Sequence, residues 1–469
     1  MLQISTKDSD CFEKLRKFAE SQGKNQEVSK TVESILKAVK THGDDALLDF
    51  AQKFDNVTLT AEQLRVSEKE IADAMAMVDP AKIEAIKDSI AMVKKFHERS
   101  VPRSWQERNS HYAVVGERFF PIQNVGLYVP GGHAPLCSTV VMTAIPAKVA
   151  GVPHLVLCTP PRKDGTVAPE ILAAAHLCGV NEIYKIGGAQ AVAAMAYGTK
   201  TVPRVDKIVG PGNAFVVEAK RALFGLVGID LLPGPSELMI VVDRKTKPQW
   251  AAIDLLAQAE HGSGKERLYV ILLDDSVKER IVEALSIEIG RYPERAEYLK
   301  ESIEKNLCFI HANSMKDAVD VINFVAPEHL ELQMRGIFER AFVEGVTTAG
   351  AILSGHFTPA ALGDFIAGPS HTLPTNRTGH FSSGLRVDDF MRRSSYVRYD
   401  EKAIRLANAT VTAFATMEGL KAHGDSVAVR QLPEKTKKPR KEYSRPAQRK
   451  RRRTKKEMIA ARANDLQSR

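Results

Sequence analysis

The sequence predicts an α/β fold in which two related parallel-sheet units lie between helical ends. Three observations predict it. From about residue 120, short apolar runs alternate with helix-length segments, the rhythm of strand–helix–strand units. Several of those runs end in glycine- and proline-rich turns that lead into the next helical pattern. Outside this stretch, apolar residues recur at three- and four-residue spacing, which marks amphipathic helices.

Taken in order, residues 28–54 and 61–97 read as helical; Leu64, Ile71, Met75 and Val78 form one such apolar stripe. Strands are expected at 125–129, 154–158, 182–186, 207–210, 238–242 and 268–273, with helices near 137–150, 168–178, 189–198, 213–225 and 248–261. A shorter series follows: CFIHA, a helix over 315–325, HLELQM and AGAILSG. Such runs without polar alternation predict sheets covered by helices on both faces. Residues 396–423 turn helical again. The expected boundaries are a helical region over 1–110, sheet domains over 111–245 and 246–384, a helical arm over 385–430, and a basic tail over 431–469.

Charge separates the tail from the body. Residues 431–469 hold 15 Lys and Arg against 4 Asp and Glu, a net of +11. The other 430 residues hold 51 basic and 53 acidic residues, a net of −2. The overall +9 therefore does not make the whole chain a nucleic-acid binder. Five scattered cysteines, with no CxxC pair, point to a reducing compartment and argue against a cysteine zinc site. The opening residues carry acids where an export leader needs none, and the apolar stretch 140–158 is broken by Pro146, Lys148 and Pro153. A cytoplasmic protein without membrane spans is expected.

Four strand-end turns stand out: residues 129–135, 186–191, 209–214 and 232–237. Glycine lets a backbone approach a ligand, and the following helix start offers free N–H groups to phosphate. Any one such turn is ordinary; four together favour a phosphate-bearing ligand. No GxGxxG is present, and HGSGKE (261–266) fails as a P-loop because Glu266 stands where Ser or Thr is needed. Gln258 and His261, three residues apart at a helix end, can offer oxygen and nitrogen to one metal. Glu328–His329, Asp364, His371, Glu418 and His423 are further polar residues in apolar or glycine-rich contexts. Each alone reads as readily as a surface residue or a satisfied core residue, and spacing does not show that they converge.

YVPGGHAP, IGGAQA, VDKIVGPGNAFV, GPSE, LLAQAEH, APEHLE, GDFIAGPSHTLPT, FSSGL and EGLKAH occur together and in this order. In this the chain resembles the histidinol dehydrogenases over about residues 30–430. The resemblance implies two Rossmann-like parallel-sheet domains, with helical N-terminal and C-terminal extensions that interlock in a homodimer with shared active sites. It implies oxidation of L-histidinol to L-histidine in two hydride transfers to NAD, through an enzyme-bound aldehyde, with one Zn2+ per subunit. Carried over, Gln258, His261, Asp364 and His423 are the metal ligands, and Glu328 and His329 the catalytic bases. Tyr128, Gln190 and Asn213 touch NAD. Ser236, Gln258, His261, His329, Asp364, His371, Glu418 and His423 contact substrate. These residue types suit the chemistry: zinc is redox-inert, so hydride goes to NAD, and Glu and His can serve as bases near neutral pH.

Two positions depart from the family pattern. Ala360 stands where Glu is usual, and Ser370 where Asn is common. The first motivates an alternative: a same-fold NAD dehydrogenase of another small primary alcohol, such as a sulfonated diol. The tail is also outside the pattern; RKRRRTKK (449–456) has the charge for weak, salt-dependent polyanion binding, and a solvated, idle extension accounts for it as readily.

Overall fold

The computed structural model describes residues 1–20, 26–131 and 135–431. The described residues divide into two compact units: 1–105 with 117–395, and 106–116 with 396–431.

The larger unit contains two parallel sheets. The five-stranded sheet runs Glu182–Lys185, His154–Thr159, Asn124–Tyr128, Lys207–Val209, Gly228–Ile229, with all neighbours parallel. The six-stranded sheet runs Leu2–Ser5, Leu307–His311, Arg267–Leu272, Glu237–Val242, His329–Gln333, Ala351–Ser354, again parallel throughout. Counted along the chain, the first sheet has strand order 3-2-1-4-5. The second repeats that order with the N-terminal strand added beside its third member. This bears out the expected pair of Rossmann-like sheets.

Burial explains why these strands lack alternation. In Glu237–Val242 and Arg267–Leu272 every residue is buried. Leu238, Ile240 and Val242 feed one core, while Met239 and Val241 feed the core on the opposite face. In the first sheet Leu155 and Leu157 face one core, and Val156 and Cys158 the other. A strand covered by helices on both faces has no solvent side to mark with polar residues.

Several boundaries differ from those expected. The stretch 61–97 is three helices, Ala61–Leu64, Glu68–Met77 and Pro80–His97. The first break exists because the Val66 amide donates to the Ile183 carbonyl at 2.9 Å, which draws the chain onto the sheet edge. Ser67 then restarts the helix through a capping box with Glu70. At the second break Pro80 takes the first helical position, where its missing N–H costs nothing. Leu2–Ser5 is an edge strand, not helix. The strand 237–242, on the first-domain side of the expected boundary at 245, sits at the centre of the second sheet.

In the smaller unit, Asp400 caps the helix Glu401–Met417, its carboxylate accepting the Ala403 amide at 2.8 Å. The chain reverses at Gly419 (φ +68°) into the helix Lys421–Ala428. Ala403, Ala407 and Ala415 are buried, while Leu406, Phe414, Met417 and Leu420 are exposed. Apart from Gln431, the basic tail lies outside the described residues.

Candidate active site

The strand His329–Gln333 and the residue before it deliver two buried ionisable groups, Glu328 and His329. One neighbouring residue orients both. The Glu237 amide donates to Glu328 Oε2 at 2.8 Å, and the Glu237 carbonyl lies 3.3 Å from His329 Nδ1. A carbonyl only accepts, so Nδ1 carries a hydrogen. His329 Nε2 is buried and has no hydrogen-bond partner within 3.5 Å; Asp364 Oδ1 is its ionic neighbour at 3.6 Å. Glu328 Oε2 lies 3.8 Å from His329 Nδ1.

Electrostatics follow from this crowding. Burial lifts the Glu328 carboxyl to about 7, with His329 opposing the shift. Burial alone would lower His329, but the Glu328 and Asp364 carboxylates outweigh it and lift the imidazole to about 9. Asp364 is also buried, yet the adjacent His329 holds it below the usual carboxylate range, helped by His371 and His261. Burial lowers His371, which favours its neutral form. Two carboxyls and three imidazoles thus lie close enough to bias one another's charge.

His371 is placed by an indirect device. Its Nδ1 lies 3.0 Å from the Asp364 carbonyl, and its Nε2 lies 3.5 Å from Thr139 Oγ1 on the helix Cys137–Val149. Pro146 interrupts that helix and has no N–H for the carbonyl four residues back, Met142. The Ser370 hydroxyl fills the vacancy at 3.0 Å and accepts the Thr372 amide at 3.2 Å. The serine that departs from the family pattern therefore anchors the residue before His371 to a kink-prone helix.

The expected helix-borne pair Gln258 and His261 is modified. The helix Pro248–Ala259 ends before His261, which lies in the following turn, its Nδ1 3.2 Å from the Gln258 carbonyl. Gly262 (φ +89°) completes that turn. The Gln258 side chain is buried, and its Nε2 lacks a partner. Among the described residues no three His, Cys, Asp or Glu side chains gather tightly enough to hold a metal. Gln258 is an amide, and His423 belongs to the smaller unit with Glu418; both follow the helix Glu401–Met417.

Three of the four glycine turns, 129–135, 186–191 and 209–214, follow strands of the first sheet; the fourth, 232–237, opens no helix but runs into the strand Glu237–Val242 of the second sheet. The strand order of the first sheet reverses between Asn124–Tyr128 and Lys207–Val209, the position at which open α/β sheets receive ligands. Tyr128 ends the first of these strands, buried, its hydroxyl accepting the Gly188 amide at 3.1 Å; burial pushes the phenol up to about 12. Gln190 is buried in the helix Gly188–Tyr197. Asn213 caps the helix Ala214–Leu223, and its Oδ1 accepts the Phe215 and Val216 amides at 3.0 and 3.1 Å. Those two amides are thus taken by the cap. Ser236 begins the second sheet's approach, its carbonyl accepting the Arg267 amide at 2.9 Å. Residues 132–134 of the first turn lie outside the described residues.

Sequence reasoning missed Glu237, although it closes the GPSE motif, and Thr139. Both act through contacts with residues about 90 and 230 positions away, which no local pattern signals.

Comparison with known proteins agrees along the chain. The family model described as histidinol dehydrogenase matches residues 18–431. The chain is 44% identical over 403 residues to the histidinol dehydrogenase of Gluconobacter oxydans, covering 86% of this chain and 93% of that one. It is 41% identical over 429 residues to histidinol dehydrogenase 2 of Trichormus variabilis, covering 91% and 98%. The crystal structure of histidinol dehydrogenase from Elizabethkingia anophelis superimposes with a TM-score of 0.87 at 32% identity, covering 92% of this chain and 98% of that one.

Proposed function

This chain belongs to the histidinol dehydrogenase family, and on that premise we propose that it oxidises L-histidinol to L-histidine in histidine biosynthesis. The reading includes two successive hydride transfers to NAD, through an enzyme-bound aldehyde, and one Zn2+ per subunit. The observation that carries it is the Glu328–His329 pair, held by a single residue beside Asp364, with His329 Nε2 left open.

A zinc ion suits the residues present. The buried Gln258 Nε2 has no partner; with the amide turned over, its oxygen would take that position, where a metal contact would satisfy it. Asp364 is held ionised and His261 acts on it. Gln258, His261 and Asp364 would hold the ion, with His423 supplied by a second copy of the chain. When bound, Zn2+ supplies a redox-inert cation that fixes the substrate's imidazole and amine. Support for a homodimer comes from the exposed Phe414 and Met417 (56% and 71%) on the helical arm. Glu418, on that arm, and Ser236 would contact substrate, with His371 beside them.

His329 takes the alcohol proton once its own resting proton has left, as the first hydride departs. Glu328, near its midpoint at neutral pH, then activates water against the aldehyde, and the hydrate gives up the second hydride. Tyr128, Gln190 and Asn213 are the proposed NAD contacts, at the switch point of the first sheet.

The second reading, a dehydrogenase of another small primary alcohol such as a sulfonated diol, draws on Ala360, whose methyl brings no carboxylate to the pocket. Purified protein with Zn2+ and NAD should form two NADH per histidinol, and a chelator should abolish it. Turnover of a competing alcohol with none of histidinol would overturn the substrate assignment.

A further inference from the structure

Three elements deliver the proposed metal and base residues: the helix ending at Ala259, the strand His329–Gln333, and the short helix Ala360–Phe365. Under them lies a buried polar cluster that the proposed chemistry does not use. Asp254 precedes Gln258 by one helical turn, so the two share a helix face. Glu331 and Gln333 follow His329 at two-residue steps and share its strand face. Glu331 is 1% exposed and Gln333 3%.

The Asp254 and Glu331 carboxyls meet there through one shared donor. Gln333 Nε2 donates to both, at 2.8 Å to Asp254 Oδ2 and 3.2 Å to Glu331 Oε2. The remaining oxygen, Glu331 Oε1, accepts the Ala360 amide at 2.7 Å. Ala360 opens the helix in which Asp364 lies one turn further on. One carboxyl is therefore linked, directly or through Gln333, to all three elements. Burial pushes Glu331 well above the ordinary carboxylate range, with Asp254 adding to the shift, and burial raises Asp254 to about 6.

We propose that Glu331 is the positioning residue of the metal set: joined to Asp254 through Gln333 and accepting the Ala360 amide, it fixes Gln258 and Asp364 relative to His329. It rests on the reading of Gln258, His261 and Asp364 as zinc ligands. Groups hydrogen-bonded directly to metal ligands typically change metal affinity about 10–100-fold when removed; Glu331 acts one step further back, through Asp254 and Ala360, so the low end of that range is expected. Glu331→Leu keeps the volume and removes both hydrogen bonds. Glu331→Gln keeps the shape and an oxygen to accept the Ala360 amide, and should substitute for the acid. Ala360→Pro removes only the amide: Pro is tolerated at a first helical position, and the preceding residue, at φ −69° and ψ 157°, is already extended.

The test is zinc affinity of the full chain, read by competition with a chromophoric chelator well below the unfolding temperature of each variant. Wild type and Glu331→Gln should agree within about threefold, Glu331→Leu should bind about tenfold more weakly, and Ala360→Pro should fall between them. A role in stability alone would lower the unfolding temperature and leave these ratios at one. Wild type that takes up no zinc refutes the zinc reading. Wild type that binds zinc while Glu331→Leu and Ala360→Pro bind it equally well refutes the positioning role alone, as does a Glu331→Gln protein as weak as Glu331→Leu. Should Glu331→Leu not fold, the Gln and Pro variants decide the matter.

Discussion

His97 ends the helix Pro80–His97 with 1% exposure, and neither ring nitrogen has a hydrogen-bond partner. Burial, helped by the nearby Arg386, lowers its imidazole to about 4. The folded state therefore prefers neutral His97. That stability is fully present above the unfolded value near 6.5 and is lost as pH falls toward 4. Chemical denaturation at pH 7 and pH 4.5 should show wild type losing about 2–3 kcal/mol more than His97→Leu across that interval. Equal losses would show that His97 does not titrate with unfolding. The same scale holds Ser370, whose hydroxyl answers a carbonyl freed by Pro146. That proline was visible in the sequence, but only as an obstacle to a membrane span; its partner came from more than 220 residues away.

At the scale of elements, the turn 209–214 shows what holds a glycine loop in place. Gly210 has φ +118°, and a Cβ there would lie 2.2 Å from the Tyr128 carbonyl oxygen, so only glycine fits. Its amide donates to Asp230 Oδ2 at 2.7 Å and its carbonyl accepts Lys220 Nζ at 2.9 Å. Lys220 and Asp230 pair with side chains 0% and 1% exposed. Removing one member of a buried pair strands the other charge, at a cost of roughly 3–5 kcal/mol. Lys220→Met should lose that much by chemical denaturation and raise the KM for NAD, and Lys220→Met with Asp230→Leu should recover part of the stability. A double variant less stable than the single one would refute the pair as the source. The glycines of this turn were legible in the sequence. The buried lysine ten residues on was not, because a helical Lys ordinarily reads as solvent-facing.

For the whole molecule, the charge division makes its own prediction. The body of net −2 carries every residue assigned to the chemistry, and the +11 tail carries none. A 1–430 truncation should retain NADH formation from histidinol within about twofold and lose any polyanion binding that falls steeply with salt. Equal polyanion binding by full-length and truncated protein would remove the tail's assigned role. The helical arm, with Phe414 and Met417 exposed, is where the proposed second copy would dock.

The sequence alone determined the class of the protein: its strands and helices, its glycine turns, and the ordered motifs that mark its family. These are local properties, set by continuous apolar runs, by helical spacing of 3.6 residues and by backbone chemistry at Gly and Pro. Tertiary structure decided what meets what. It put strand 237–242 at the centre of the second sheet, gave both sheets the order 3-2-1-4-5, and moved His261 off its helix. It brought Glu237 to Glu328 and His329, Ser370 to Met142, and Glu331 to Asp254 and Ala360. Such pairings join positions tens to hundreds of residues apart, and only the packing of whole elements brings them into contact.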